Sequence, residues 1–309
     1  MRRRRLRWRR EELHSTLQQI AAREEGTTGI AITHLESGRH VEVNGDVAFP
    51  MHSVCKVPIA IAVLRGVEEG ALRLDATVKV RPEDVAPVMV GPKDRWSNVP
   101  KDMSTRALLE LSLMDSDNTA TDKLLSLVGG PDRVTRQLRT VAITGIKISR
   151  SLKQGASEFC VGPQSQNQDA TRIVESCRQL SRDQQVAARQ REERRELDSA
   201  TPNALVNLLD RLYKGALLKG PSRDLVLQMM YGSRVGSGRI KAQLPSGTRV
   251  AHKSGSGYLA TNDVGVIDLP NGRGHLVVAV FIKLSTRDGP QQDRTIAELA
   301  RCAYDFFTR

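Results

Sequence analysis

No run of about 18 apolar residues occurs anywhere in this chain, so no helix is expected to span a membrane. Aromatic residues make up only 4% of it, and no basic stripe is interleaved with them. That argues against a nucleic-acid groove, despite a formal net charge of +12. Cysteine is sparse as well: Cys55, Cys160, Cys177 and Cys302 form no Cys-x-x-Cys pair, and no Cys/His group has zinc spacing. Four free thiols are expected, with Cys160–Cys177 the pair a disulfide would join, and this usage leaves the compartment open. There is no Gly-x-Ser-x-Gly nucleophile elbow and no metal-binding His-Glu pair, so neither a metal nor another cofactor is expected. An apolar stretch is also missing after the Arg-rich start, where Glu11-Glu12-Leu13-His14 follows, so no signal peptide is visible.

What is present begins with that start. Seven of the first ten residues are Arg, a run that reads as a frayed terminal arm. The functional alternative is a contact with nucleic acid or an anionic membrane, which would be steeply salt-dependent. Glu11 to Glu25 has the spacing of an amphipathic helix, with Leu13, Leu17, Ile20 and Ala21 on one face. Strand-like runs follow at Gly29–Leu35 and Arg39–Asn44, and three more near the C-terminus at Arg249–Lys253, Asp263–Leu269 and His275–Leu284. Asn271-Gly272 between the last two predicts a tight hairpin. A final helix is expected over Asp293–Phe307.

Between Val54 and about Tyr231 the apolar spacing is helical. Thr201-Pro202 and Pro221-Ser222 read as helix starts. The expected fold is therefore α/β of the α+β kind. A five-stranded antiparallel sheet, built from both ends of the chain and flanked by N- and C-terminal helices, carries an all-α domain. The boundaries are 1–10 for the arm, 11–50 and 233–309 for the discontinuous sheet domain, and 51–232 for the helical domain. Within the last, Arg172–Glu196 is rich in Arg, Gln and Glu and reads as a solvated helix or partly disordered insertion.

Three short strings carry the chemistry. Ser53 and Lys56 stand three apart, in the only Ser-x-x-Lys of the chain. On a helix that spacing puts both on one face, where a neutral lysine can take the serine proton. Ser116-Asp117-Asn118 offers a hydroxyl for proton transfer, a helix-capping carboxylate and an amide that both donates and accepts. Lys253-Ser254-Gly255 ends a predicted strand, where an ammonium and a hydroxyl suit a substrate carboxylate and the glycine permits close approach of a substrate. Arg239, fourteen residues before Lys253, is a candidate second cation. His52 and His252 adjoin Ser53 and Lys253, but sequence neighbours point to different sides, so neither is expected to serve as a base.

Singly these strings are weak, but their order resembles that of the class A serine β-lactamases, with their S-x-x-K, S-D-N and K-T-G elements. The likeness covers nearly the whole chain from Glu11. It includes Ile143-Thr144-Gly145-Ile146, Thr201-Pro202-Asn203-Ala204-Leu205, Gly238-Arg239-Ile240-Lys241 and Thr261-Asn262-Asp263-Val264-Gly265. It implies a β-lactamase/transpeptidase-like fold, a small-molecule β-lactam as substrate, no metal, a monomer, and a periplasmic or secreted location. It also implies that Ser53 is acylated, that Lys56 helps deprotonate it, and that Ser116 relays a proton to the lactam nitrogen. Asn118 would hold the side-chain amide, Lys253, Ser254 and Arg239 the carboxylate, and the N–H groups of Ser53 and Ser256 the oxyanion.

One group departs from the pattern. The family's omega-loop glutamate, which activates the deacylating water, falls here on Leu152, and the asparagine often found four residues on falls on Ala156. The loop before Thr201 is lengthened. A positioned general base contributes about 10²–10⁴-fold, so its loss predicts a long-lived acyl-enzyme. Glu158 is the first candidate replacement, followed by Glu175, Glu192, Glu193 and Glu196. The competing expectations are a β-lactam hydrolase with impaired deacylation, a penicillin-binding protein that acylates and stalls, and a glutaminase-like amidase.

Overall fold

The computed structural model describes residues 2–87, 92, 94–163, 165, 168–194, 196–257 and 260–309, and leaves the side chains of 2–10, 193 and 194 undescribed. Five strands make the main sheet: β1 (Thr27–His34), β2 (His40–Val43), β3 (Val250–Ser256), β4 (Ala260–Asp268) and β5 (His275–Lys283). Their order is β2-β1-β5-β4-β3, with every neighbouring pair antiparallel. This is the sheet expected from both ends of the chain. The β4–β5 hairpin turns at Asn271 and Gly272, whose φ values of 58° and 67° suit a turn that matches strand twist.

The sheet is buried on both faces, which is why its strands read as nearly unbroken apolar runs. Side chains alternate along a strand. In β5, Leu276, Val278, Val280 and Ile282 face one core, while Val277, Ala279 and Phe281 face the other. The first core is closed by the terminal helices α1 (Arg2–Ala21) and α11 (Gly289–Thr308). Leu13, Leu17 and Ile20 supply the α1 side and Ile296, Leu299, Ala300, Ala303 and Phe307 the α11 side. Because α1 begins at Arg2, the Arg-rich run continues this helix rather than forming a frayed arm; its side chains lie outside the described residues.

The other face carries the helical middle, built around α2 (Lys56–Glu68). Nine successive residues of α2, from Lys56 to Leu64, are buried, so this helix is enclosed on all sides. Around it stand α3 (Thr105–Met114), α4 (Asn118–Leu127), α5 (Pro131–Thr140), α9 (Pro202–Tyr213) and α10 (Gly220–Tyr231). This part is not all-α. Phe49–Pro50 and Ile146–Lys147 both pair with Ser199–Ala200, and Thr77–Val80 pairs with Lys101–Ser104. These ladders are two to four residues long, too short to leave a period in the sequence.

The inserted segment is ordered. Helices α6 (Leu152–Cys160), α7 (Ala170–Gln179) and α8 (Arg182–Arg194) gather Phe159, Ile173 and Ala188 into a small core of their own. Cys160 and Cys177, with Cα atoms 4.6 Å apart, form a disulfide across it. The expectation of four free thiols therefore gives way to two, Cys55 and Cys302. The solvated or partly disordered reading gives way to a stapled three-helix unit, because Ile173 and Ala188 are apolar enough to bury against Phe159.

Candidate active site

Ser53 lies in a single 3-10 turn, His52–Cys55, that runs directly into α2. The half-buried hydroxyl thus sits at the N-terminal end of a buried helix, whose free N–H groups favour negative charge. Strand β3 presses against this turn. A Cβ built on Gly255 would lie 2.6 Å from Met51 O and 3.2 Å from Ser53 N, so only glycine fits. The close approach at Gly255 is thus to the nucleophile's own turn. Asn262 on β4 completes the clamp, donating to the carbonyls of Pro50 (2.7 Å) and Met51 (3.2 Å).

Lys56 is fully buried, and its Nζ is the hub of the site. It lies 3.0 Å from Ser53 Oγ, 3.1 Å from Ser116 Oγ, 2.7 Å from Ser116 O and 2.9 Å from Asn118 Oδ1. An ammonium has three hydrogens, so four such neighbours leave room for a hydroxyl to donate to a neutral amine. Burial is the main cause that brings the Lys56 pKa down, to about 8. Ser116 takes a left-handed backbone (φ 59°), which offers both its carbonyl and its hydroxyl to the amine. Asp117 caps α4 through Ala120 N and is held by Trp96 Nε1 (3.0 Å) and Arg95 (3.3 Å), the structural part expected of it.

On the far side of Ser116, Lys253 Nζ stands 3.0 Å from the same hydroxyl and donates to Ser254 O at 2.8 Å. Burial, then the charge of Lys56, push its pKa well below the ordinary lysine range. Ser116 Oγ is therefore bracketed by two amines, an arrangement that can pass a proton in either direction. Arg239 is nearly buried and heavily engaged. It donates to Asp293 (2.7 Å), to the carbonyls of Gly255 and Asn262 (both 2.8 Å), and to Ser256 Oγ (2.6 Å). It meets the site through Ser256, with four of its five N–H groups engaged. His252 Nδ1 pairs with buried Asp263 at 2.9 Å, whereas Lys253, its neighbour on the strand, reaches Ser116.

Leu152 opens α6, where its backbone N–H donates to Asp122 Oδ1 at 2.7 Å and the next N–H, of Lys153, to Oδ2 at 2.8 Å. The Glu158 carboxylate is occupied. Oε2 accepts from Arg150 at 2.8 Å and Oε1 from Gln154 at 3.0 Å. Glu192 and Asp198 join Arg150 at 3.0 and 2.8 Å, so two of the candidate replacement bases are drawn into one ion cluster. Glu175 and Glu196 are exposed, and the side chain of Glu193 lies outside the described residues. Sequence reasoning missed Asp122. Its only signal was a place four residues after Asn118, on the same face of α4.

The family model described as "Beta-lactamase enzyme family" matches residues 12–307. Extended-spectrum beta-lactamase PER-1 of Pseudomonas aeruginosa is 30% identical over 305 residues, covering 95% of this chain and 87% of its own. A beta-lactamase from Chitinophaga pinensis has a similar structure, with TM-score 0.80 and 28% identity over 95% of this chain and 98% of its own. A variant of PBP-A, solved as an acyl-enzyme complex with penicillin G, shares the fold at TM-score 0.78 and 24% identity, over 96% of each chain.

Proposed function

Since the chain belongs to the beta-lactamase enzyme family, we propose that Ser53 attacks the carbonyl carbon of a β-lactam and carries the opened ring as an ester. Lys56 takes the Ser53 proton as the Oγ–C bond forms. The C–N bond then breaks, and Ser116, supplied from Lys56 and backed by Lys253, gives a proton to the lactam nitrogen. Backbone N–H groups of Ser53 and Ser256 hold the oxyanion, an interaction that strengthens as charge develops. Asn118 takes the side-chain amide. Lys253, Ser254 and Ser256, the last steadied by Arg239, take the carboxylate. One copy of the chain supplies every group, so a monomer suffices.

The observation that carries this reading is Lys56 Nζ at 3.0 Å from Ser53 Oγ, with its pKa brought down to about 8. Deacylation is the slow step. Leu152 cannot deprotonate water, and Glu158 would have to leave Arg150 to do so. That specific residue also favours a second reading, an acyl-trapping protein of the penicillin-binding kind, which differs only in how long the ester survives.

A chromogenic cephalosporin time course, paired with intact-protein mass after quenching, tests both. A stoichiometric burst, a persistent adduct on Ser53 and a slow steady rate are expected, all lost in Ser53→Ala. Fast sustained turnover would overturn slow deacylation, and the absence of burst and adduct would overturn the lactam reading. Leu152→Glu should raise the steady rate by about 10²-fold or more, the usual worth of a positioned base.

A further inference from the structure

A loop glutamate near a reactive lysine would do two things: activate water, and place negative charge beside the amine. Leu152 does neither, but the fold holds a substitute for the second. Asp122 stands one turn along α4 from Asn118, so the two side chains share a helix face about 5–6 Å apart. Asn118 Oδ1 is 2.9 Å from Lys56 Nζ, which brings the Asp122 carboxylate into the adjoining layer. There its two oxygens accept the backbone N–H groups of Leu152 and Lys153. These amides carry no net charge: their dipoles favour the ionised carboxylate without adding a counter-ion.

Asp117, from the cap of α4, also favours the Lys56 ammonium, so Asp122 shares this role with it; Asp117 is ion-paired with Arg95 and bonded to Trp96, whereas both oxygens of Asp122 accept backbone amides. The Cys55 thiol, on the same turn, is pushed by burial up to about 12 and stays neutral. Lys253, from β3, is a second amine. Ser53, Ser116 and Asn118 are uncharged. Asp122 itself is faced by Lys56 and, from α6, by Lys153. Burial pushes its carboxyl up to about 6, so it is ionised where the enzyme would work.

We propose that Asp122 is a positioning residue for Ser53 chemistry: its charge helps set the protonation of Lys56 in place of the missing loop glutamate, while its hydrogen bonds fix the first turn of α6. The proposal rests on the Lys56–Ser53 reading given above. A negative charge favours the ammonium, so removing it lets Lys56 lose its proton at lower pH.

The test measures the rate of the Ser53 adduct with penicillin G against pH, by intact mass, for the native enzyme, Asp122→Asn and Asp122→Glu. In Asp122→Asn the rising limb should move down by about one pH unit, and Asp122→Glu should bring it back. A lower plateau or reduced thermal stability, with the limb unmoved, would mean that Asp122 only caps α6 and would overturn the proposal. If Asp122→Asn does not fold, Asp122→Ser, which keeps an acceptor without charge, serves the same comparison.

A parallel readout separates this proposal from the lactam reading. Lys56 is titrated by carbon NMR on lysine-labelled protein, with its signal assigned by its loss in Lys56→Ala. If penicillin G forms no adduct at any pH, the lactam reading fails, yet the midpoint still decides. A midpoint that shifts downward in Asp122→Asn supports the role of Asp122, and an unshifted one overturns it.

Discussion

Lys56 is charged in the unfolded chain up to a pKa near 10.5 and sits in the fold at about 8. The shift acts on rate and stability in different pH ranges. Only the neutral amine can accept the Ser53 proton, so acylation should rise about tenfold per pH unit below 8 and level off above it, as stopped-flow bursts would record. For stability, the folded pKa lies below the unfolded one. Below pH 8 the lysine is charged in both states and the fold bears the full cost of burying it. Between pH 8 and 10.5 the folded state sheds its proton first and that cost is released. Relative to Lys56→Met, the native chain should gain about 3 kcal/mol across this window in denaturant melts; a constant difference would refute the assignment. This chemistry was legible in the sequence because a side chain three residues along a helix has one place to go. Asp122 and the Arg150 cluster were not, because they depend on where α6 enters, and nothing local in the sequence sets that.

The strand and the turn of the nucleophile act as one element. Gly255→Ala would place a methyl 2.6 Å from Met51 O, and either β3 or the Ser53 turn must yield. A displacement of this order costs about 10²-fold in a positioned reaction, and acylation should fall by that much while the melting curve moves little. Glycine at this point was visible in the sequence, but its reason was not, since Met51 comes near only after the whole helical middle has intervened. The stapled unit of α6, α7 and α8 makes a second prediction. The Cys160–Cys177 link spans 17 residues, a loop worth about 3 kcal/mol in the chain-entropy account. In Cys160→Ser/Cys177→Ser, hydrogen exchange should quicken in α6 to α8 and leave the main sheet unchanged. Charge-rich composition had pointed to a solvated segment here, because four or five apolar side chains and one covalent link are too few to leave a period.

Across the whole molecule, the C-terminal helix reaches the site. Asp293 on α11 holds Arg239, and Arg239 holds Ser256 Oγ and the Gly255 carbonyl. Asp293 is half-exposed, so Asp293→Ala should cost only about 1 kcal/mol in stability. The loosened guanidinium should raise KM for carboxylate-bearing lactams roughly tenfold and alter kcat less, which steady-state kinetics would resolve. A five-stranded sheet was readable from the apolar runs at the two ends of the chain, whereas the order of its strands was not, since nothing local in the sequence sets which edges meet. Thr27 pairs with Lys283, so the strands at the centre of the sheet are separated by 256 residues of synthesis (283 − 27). At about 5–20 residues per second, a ribosome takes some tens of seconds or less to make the partner of β1. For that interval the emerging β1–β2 hairpin has an apolar edge and nothing to cover it. A chaperone that binds extended apolar segments would find its target there, before the nucleophile and its lysines have met.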